Sequence, residues 1–144
     1  MPVSNRRWFV DADILLDIAS GARKGFHDDA ILFYSAAGKS DVKLYASISA
    51  LKDVYYVLCK NYCDKSKARE AIRFFMNTFT VVDLTEAMAE QALELDEPDF
   101  EDGIVRISAE ICECKYIVSR DAKAFKNGSA KRLEPLEAYR LLTK

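Results

Sequence analysis

Two apolar stretches of the sequence end in an aspartate. Residues 8–10 lead directly to Asp11, and residues 116–118 are followed after two positions by Asp121. Sites in open α/β sheets form beyond the carboxyl ends of the strands, so we expect these two carboxylates to meet at one edge of a sheet. Carboxylate oxygens are the ligands that hard cations such as Mg²⁺ prefer. The pair therefore favours metal-assisted chemistry.

Two more carboxylates occur within helical patterns. Asp53 lies in the first turns of an amphipathic pattern that starts near Ile48, and Asp102 lies at the start of another. Aspartate is a poor residue inside a helix because its side chain competes for backbone hydrogen bonds, whereas a helix N-terminus favours an anion. Taken singly, each of the four aspartates reads equally well as a cap or a surface acid. Only their convergence on one pocket would give them a function.

The elements that must position these residues alternate along the chain. Short apolar runs predict strands at residues 7–10, 42–46, 79–82 and 115–119, with a weaker fifth at 131–133, and helical periodicity fills the gaps. Strands separated by helices indicate a parallel sheet with helices on both faces. We therefore expect one domain over residues 1–144, a three-layer α/β/α sandwich with four to five parallel strands. Its core should include Phe74, Phe75, Phe79 and Phe100, and Asp83 should cap the helix that follows it.

The charge balance limits how the protein can hold a polyanion. The formal net charge is -2 and the pI is about 5.5, which excludes a broad basic surface. Residues 115–132, however, contain six basic residues against one acid. This segment would flank the acidic pocket and contact a phosphate backbone. We expect Ser119, Arg120 and Lys123 to contact the substrate.

The sequence also excludes some chemistry. His27 is the only histidine, so a nuclease that uses two histidines as acid and base is impossible. We expect His27 to be a solvated residue at a helix start. The apolar run after the basic start is short and interrupted by Asp11 and Asp13, which predicts neither a signal peptide nor a membrane span. A cytoplasmic location is expected.

Three segments of the sequence resemble motifs of the PIN domain family. Residues 10–17, Val-Asp-Ala-Asp-Ile-Leu-Leu-Asp, are similar to the Asp-Thr-Asn-Val-Leu that opens these domains. Residues 99–102, Asp-Phe-Glu-Asp before an apolar helical pattern, are similar to the motif of their third acid, and residues 116–125 resemble their Val-Thr-x-Asp-x-x-x-Phe. Residues 133–139 are similar to the tail of one bacterial subgroup. The resemblance spans residues 9–142.

The resemblance implies an α/β/α fold and a nuclease that depends on Mg²⁺ or Mn²⁺ and commonly cuts RNA, less often DNA. Matching positions make Asp11, Asp53, Asp102 and Asp121 the metal-site acids. Many bacterial members, such as VapC-type toxins, are held inactive by an antitoxin protein, and homodimers are common. Two positions depart from the family: Asp53 stands where a glutamate is usual, and Asp13 replaces an asparagine.

Two alternatives remain open at this point. Asp11 and Asp13 at a strand end also fit the Asp-x-Asp of a small-molecule phosphatase of the haloacid-dehalogenase type, although the late motif of that class is missing. The departures at Asp53 and Asp13 also fit a degenerate PIN-like module that binds RNA or protein without cutting.

Overall fold

The computed structural model describes residues 4–144 of the chain. Within this range the chain forms five strands and seven helices, in the order β1 (Ser4–Val10), α1 (Ala12–Ala19), α2 (Phe26–Gly38), β2 (Lys43–Ser47), α3 (Ile48–Asn61), α4 (Lys65–Thr78), β3 (Thr80–Val82), α5 (Glu86–Leu93), α6 (Phe100–Ile111), β4 (Cys114–Val118), β5 (Lys131–Leu133) and α7 (Pro135–Leu142). None of these helices combines the length and the apolar character needed to cross a membrane.

The five strands form one parallel sheet in the order β3-β2-β1-β4-β5. The predicted three-layer α/β architecture is confirmed, including the weak fifth strand at residues 131–133. Strand β2 starts and ends one residue later than expected, and β4 starts and ends one residue earlier. Differences of this size are usual at element ends.

Both faces of the sheet are buried, which explains why its strands lack an alternation of apolar and polar residues. Trp8 and Val10 belong to the larger core, which is shared with α1, α2, α3, α4 and α7. Phe9, between them, belongs to the core on the opposite face, where α6 packs. Since neighbouring residues of a strand face opposite sides, all three positions must be apolar.

The direction of the chain through the sheet reverses between β1 and β4. The chain runs from β1 to β2 to β3 on one side, and β4 then returns to the other side of β1. The register pairs Trp8 with Tyr116 and Val10 with Val118, so the two strands end together. The backbone N–H of Asp11 donates to the carbonyl of Val118 over 3.0 Å. Such a reversal opens a crevice at the carboxyl ends of the two strands.

Three of the sequence expectations about local structure are wrong. Helix α5 is capped by Thr85, whose hydroxyl accepts from the N–H of Met88, and not by Asp83. Phe100 is 45% exposed and Phe74 is 44% exposed, whereas Phe75 and Phe79 are buried as expected. Neighbouring positions of a helix lie about 100° apart, so Phe74 and Phe75 cannot share one apolar stripe.

Helices α5 and α6 approach each other closely at Gly103, the residue after Asp102. A Cβ atom at Gly103 would lie 2.7 Å from the backbone oxygen of Ala92 in α5. A backbone atom cannot move aside as the end of a flexible side chain can. The missing side chain of Gly103 is therefore what lets α6 pack at this depth.

We expect the Gly103→Ala substitution to lower the free energy of unfolding by about 1–3 kcal/mol, because the methyl group forces the two helices apart. Urea denaturation followed by circular dichroism measures the change. Gly38→Ala is the matched control, since a Cβ at Gly38 meets no atom within 4 Å and Gly38 ends a helix. Equal stability of the two variants would contradict the prediction.

Candidate active site

Asp11 lies where β1 ends and α1 begins. It is the N-cap of α1, and its Oδ1 accepts from the backbone N–H of Ala12 over 2.8 Å. Its other oxygen, Oδ2, accepts from the Ser119 hydroxyl over 2.8 Å, across 108 positions of sequence. Both oxygens of the Asp11 carboxyl are thus held at the crevice between β1 and β4.

Ser119 connects this crevice to the loop that follows β4. Its side chain is fully buried, and while its hydroxyl donates to Asp11, its oxygen accepts from the backbone N–H of Asp121 over 3.1 Å. Asp121 in turn accepts from the N–H of Lys123 over 3.0 Å, which makes a tight turn and not the short helix that an N-cap would start. Ser119 therefore positions Asp11 and Asp121 relative to each other.

Asp102 approaches the crevice from α6, on the other face of the sheet. It is 8% exposed, and its backbone N–H donates over 2.8 Å to Oδ1 of Asp99, the N-cap of α6. Its own Oδ2 is buried and has no hydrogen-bond partner among residues 4–144. A buried carboxylate oxygen without a partner is costly, which makes it a candidate ligand for a bound group.

The pKa values of two of these acids show how close the charges are. Burial, together with repulsion from the carboxylates of Asp99, Asp121 and Asp11, raises the pKa of Asp102 from 3.8 to about 7. Burial also raises the pKa of Asp11 to about 7, with Asp13 and Asp121 adding repulsion against the hydrogen bond from Ser119. Like charges disfavour ionisation only when they are near one another. Asp11, Asp102 and Asp121 therefore share one electrostatic environment.

Asp53 reaches the same crevice from α3. Asp11, Asp53 and Glu101 line a cavity of about 20 Å³, enough for one water-sized occupant. Burial raises the pKa of Glu101, and contact with the Asp53 carboxyl raises it further. Asp53 also lies 3.2 Å from Lys52, in an exposed pair that contributes little to stability. Glu101 thus joins the acids at this site, although Asp102 was the only residue of the motif that the sequence predicted there.

Asp13 lies beside Asp11 but is turned into the protein. Its Oδ2 accepts from the backbone N–H of Arg120 over 3.0 Å, and its Oδ1 is buried without a partner in the described part of the chain. Burial raises its pKa, and the hydrogen bond from Arg120 acts in the opposite direction. Asp13 therefore contributes negative charge to the site and ties α1 to the loop after β4.

The side chain of Arg120, expected to contact the substrate, is held by Asp17. Its Nε donates to Oδ2 of Asp17 over 2.8 Å, and its guanidinium lies 3.8 Å from the ring centroid of Phe26. Asp17 is fully buried and also accepts from Arg23 over 2.6 Å. This pairing favours a structural role for Arg120, and its contact with substrate stays a prediction. Lys123, by contrast, projects from the surface next to Asp121.

A second charged network holds the far end of the same loop. The Glu97 side chain is 3% exposed, and its Oε2 lies 3.2 Å from Arg106 of α6. Its Oε1 accepts over 2.8 Å from the N–H of Phe125, a buried residue whose φ of 66° is unusual for a bulky side chain. Glu97 precedes Asp102 by five positions and Phe125 follows Asp121 by four. The network therefore fixes the distance between the elements that carry these two acids.

The residues fit a divalent cation by charge and by donor type. Asp102 and Asp13 each have a buried oxygen that lacks a partner within the residues that the structure describes, and the raised pKa of Asp11 and Asp102 marks a site short of positive charge. Among residues 4–144, no three Asp, Glu, His or Cys side chains stand ready to hold an ion. Each Asp11 oxygen accepts one hydrogen bond from a protein donor, which orients the carboxyl and leaves lone pairs free for a cation.

The structure thus brings together the four predicted acids, with Asp11 adjoining both the Asp102–Asp121 group and Asp53. Sequence reasoning missed Glu101, Glu97 and Asp17. Asp17 did leave a signal, because it shares the apolar stripe of α1 with Ile14 and Ile18, where an unpaired charge would be costly. His27 is half-buried and hydrogen-bonded to the carbonyl of Asp17 over 2.7 Å, so the expectation of a solvated histidine is wrong.

Comparison with known proteins adds independent findings. A family model described as "PIN domain" matches residues 7–123. Ribonuclease VapC1 of Aquifex aeolicus (strain VF5) is 29% identical over 124 residues, covering 83% of this chain and 84% of that protein.

Solved structures of low sequence identity share the fold. Mycobacterium tuberculosis VapC20, described as a sarcin-ricin loop cleaving toxin, superposes with a TM-score of 0.66 at 17% identity over 79% of this chain and 89% of that one. A toxin-antitoxin complex from Klebsiella pneumoniae gives a TM-score of 0.62 at 21% identity, over 90% of this chain and 98% of that one.

We expect the metal-free protein to lose stability as the pH rises from about 4 to about 7. Native Asp11 and Asp102, with pKa values of about 7, keep protons that the unfolded chain releases near 3.8. The native state binds more protons across this window, so the free energy of unfolding falls with pH. Urea denaturation in EDTA at pH 5 and pH 8 measures the difference, and Asp102→Asn should reduce it. A free energy of unfolding that rises with pH would contradict this.

We expect Glu97→Ala to lower the free energy of unfolding by about 2 kcal/mol, because it leaves the buried N–H of Phe125 without an acceptor. Glu97→Gln should cost less, since its amide oxygen can still accept that hydrogen bond. Thermal and urea denaturation compare the two with Glu94→Ala, an exposed residue at the end of α5. If Glu97→Ala behaves like Glu94→Ala, the network does not hold the loop.

Proposed function

Because the chain belongs to the PIN domain family, we propose that it is a divalent-metal-dependent ribonuclease that hydrolyses phosphodiester bonds of single-stranded RNA. The observation that carries the proposal is the group formed by Asp11, Asp102 and Asp121 at the reversal of the sheet, with one Asp102 oxygen left without a partner. The relative named a ribonuclease supports RNA as the substrate.

The metal-site residues in this proposal are Asp11, Asp53, Asp102 and Asp121, which would hold one or two Mg²⁺ or Mn²⁺ ions. Such an ion would stabilise charge on a phosphoryl oxygen and would make a water ligand more acidic, and so easier to convert into a nucleophile. Carboxylates suffice for such ions, which prefer oxygen and keep several waters. The absence of a second histidine is therefore no obstacle to the reaction.

The other residues of the site hold these acids in position or provide contacts for the substrate. Ser119 fixes Oδ2 of Asp11 through its hydroxyl and the N–H of Asp121 through its oxygen. Arg120 ties the loop to α1 through its backbone N–H to Asp13 and its guanidinium to Asp17. The small cavity between Asp11, Asp53 and Glu101 admits one water-sized occupant. Lys123 supplies an exposed positive charge next to Asp121 for the substrate backbone.

We also propose that the chain is the toxin of a toxin–antitoxin pair and is held inactive by an antitoxin protein. The likeness to a solved toxin-antitoxin complex from Klebsiella pneumoniae supports this partner. A homodimer and a cytoplasmic location stay predictions.

The phosphatase alternative does not agree with the family or with the site. That class requires the second aspartate of Asp-x-Asp to exchange a proton with its substrate. Asp13 is instead turned inward, with one oxygen accepting from the backbone of Arg120. Its carboxyl is committed to the fold.

We expect the purified chain to cleave single-stranded RNA with Mn²⁺ or Mg²⁺ and to stop when EDTA is added. Asp102→Asn should lower kcat by about a hundredfold or more, because a lost metal ligand removes several kcal/mol of transition-state stabilisation. Asp11→Asn should act similarly. A fluorogenic oligoribonucleotide measures the rates.

Asp64→Asn is the control for these variants, since it makes the same chemical change at the exposed N-cap of α4. Asparagine caps a helix as well as aspartate does, so its rate should match the wild type. Cleavage that survives in both site variants, or turnover of p-nitrophenyl phosphate in place of RNA, would overturn the proposal. If no metal ion supports cleavage, the chain is instead the degenerate PIN-like module that binds RNA or protein without cutting.

A further inference from the structure

The structure divides the six basic residues of the 115–132 segment into two groups. Arg120 is paired with Asp17, and Arg132 donates to the carbonyl of Ser119 over 2.9 Å while lying 3.7 Å from Glu134. Lys115 lies near the start of β4, at the edge of the sheet opposite the acids. These three residues are therefore engaged in the fold or remote from the site.

The other three are the lysines at positions 123, 126 and 131. All three side chains are exposed, and none has an ion-pair partner in the part of the chain that the structure describes. Lys126 and Lys131 line a groove of about 350 Å³ together with Ala122, Ala124 and one edge of Arg132. We call this the lysine groove. Ala122, which follows Asp121 in the sequence, lines one part of it.

We propose that the lysine groove binds the phosphodiester backbone of the RNA strand beside the bond that is cut. This inference rests on the proposed function and adds a site for the substrate on the far side of Asp121. A polyanion that approaches four or five gathered carboxylates on a chain of net charge -2 is repelled, and free ammonium groups at the rim of the site offset this. Lysine acts here as a point charge that suits phosphate without reading bases.

The shape of the groove favours a single strand. Its volume is that of a pocket for a small ligand, whereas proteins that bind duplex RNA contact about 16 base pairs over two minor grooves. Its lining includes the small residues Ala122, Ala124 and Ala130. An extended backbone can therefore enter where a helix of RNA cannot.

The groove is already formed in the free protein. Arg106 donates to the carbonyl of Asn127 over 3.3 Å, and Asp96 accepts from the Asn127 amide over 2.6 Å. A Cβ at Gly128 would lie within 3.0–3.1 Å of Arg106 and Glu110, so the loop rests closely on α6 at that point. A loop held in this way loses little conformational entropy when a ligand binds.

The test is the salt dependence of RNA binding by the double variant Lys126→Gln/Lys131→Gln. Fluorescence anisotropy in EDTA, with a labelled single-stranded oligoribonucleotide, gives the affinity at several KCl concentrations without cleavage. Loss of two phosphate contacts should make the slope of log K against log[KCl] shallower by about 1.4, since each contact contributes about 0.7 for a single strand.

The control is Lys39→Gln/Lys65→Gln, which removes the same charge from exposed lysines at the end of α2 and the start of α4. Its slope should equal that of the wild type. An unchanged slope in the groove variant, or an equal change in the control, would overturn the proposal. Single-stranded DNA of the same sequence is the second ligand to be tested. If the two lysines change the slope equally for DNA and RNA, the groove contacts the backbone alone. If they change it only for DNA, the assignment to RNA is wrong.

Cleavage assays separate this inference from the proposed function. If the groove is right, kcat/KM for a long oligoribonucleotide falls through KM in the groove variant, and a dinucleotide too short to reach the groove is cut at the wild-type rate. Cleavage with no effect of the lysines would refute the groove but keep the nuclease. Lysine-dependent binding without cleavage would support the groove and refute the nuclease.

Discussion

Repulsion among carboxylates that the fold has gathered in one place is the constraint on which the rest of this structure depends. Three of them, Asp11, Asp102 and Asp121, come from two loops and a helix on both faces of the sheet. Asp121 raises the cost of ionising Asp11 and Asp102, and Asp11 does the same for Asp102. A chain folding for stability alone would separate such charges. Here the sheet reversal, the short Ser119 contact and the close approach at Gly103 all act to keep them together.

Two ion-pair networks counter that repulsion at opposite ends of the loop after β4. Asp17, with Arg23 and Arg120, holds the start of the loop against α1. Glu97, with Arg106, holds its end against α6. Both acids are almost fully buried, and a buried acid persists only when cations and donors surround it. The loop therefore has a fixed path, although it contains no helix or strand between residues 119 and 130.

The fold was largely accessible from the sequence, because apolar runs and helical periods report burial directly. The strand at residues 131–133 has the expected bounds. The two acids that follow strands could be placed, since parallel strands end at one edge. The sequence did not predict contacts between residues that are distant along the chain. Whether Arg120 faces solvent or Asp17 depends on where α1 lies against the loop, and no local pattern encodes that. Glu101 and Glu97 look like ordinary surface acids until α3, α6 and the loop are packed.

The position of β1 at the centre of the sheet has a consequence for how the protein folds while it is being synthesised. Its neighbour β4 is contributed by residues 114–118, and the bond between Ser119 and Asp11 joins residues 108 apart. Contacts of such long range form late, since the chain entropy of closing so large a loop must be overcome first. During synthesis on the ribosome, Asp11 is made 108 residues before Ser119, its hydrogen-bond partner. The nascent chain is thus catalytically silent until most of it has been made.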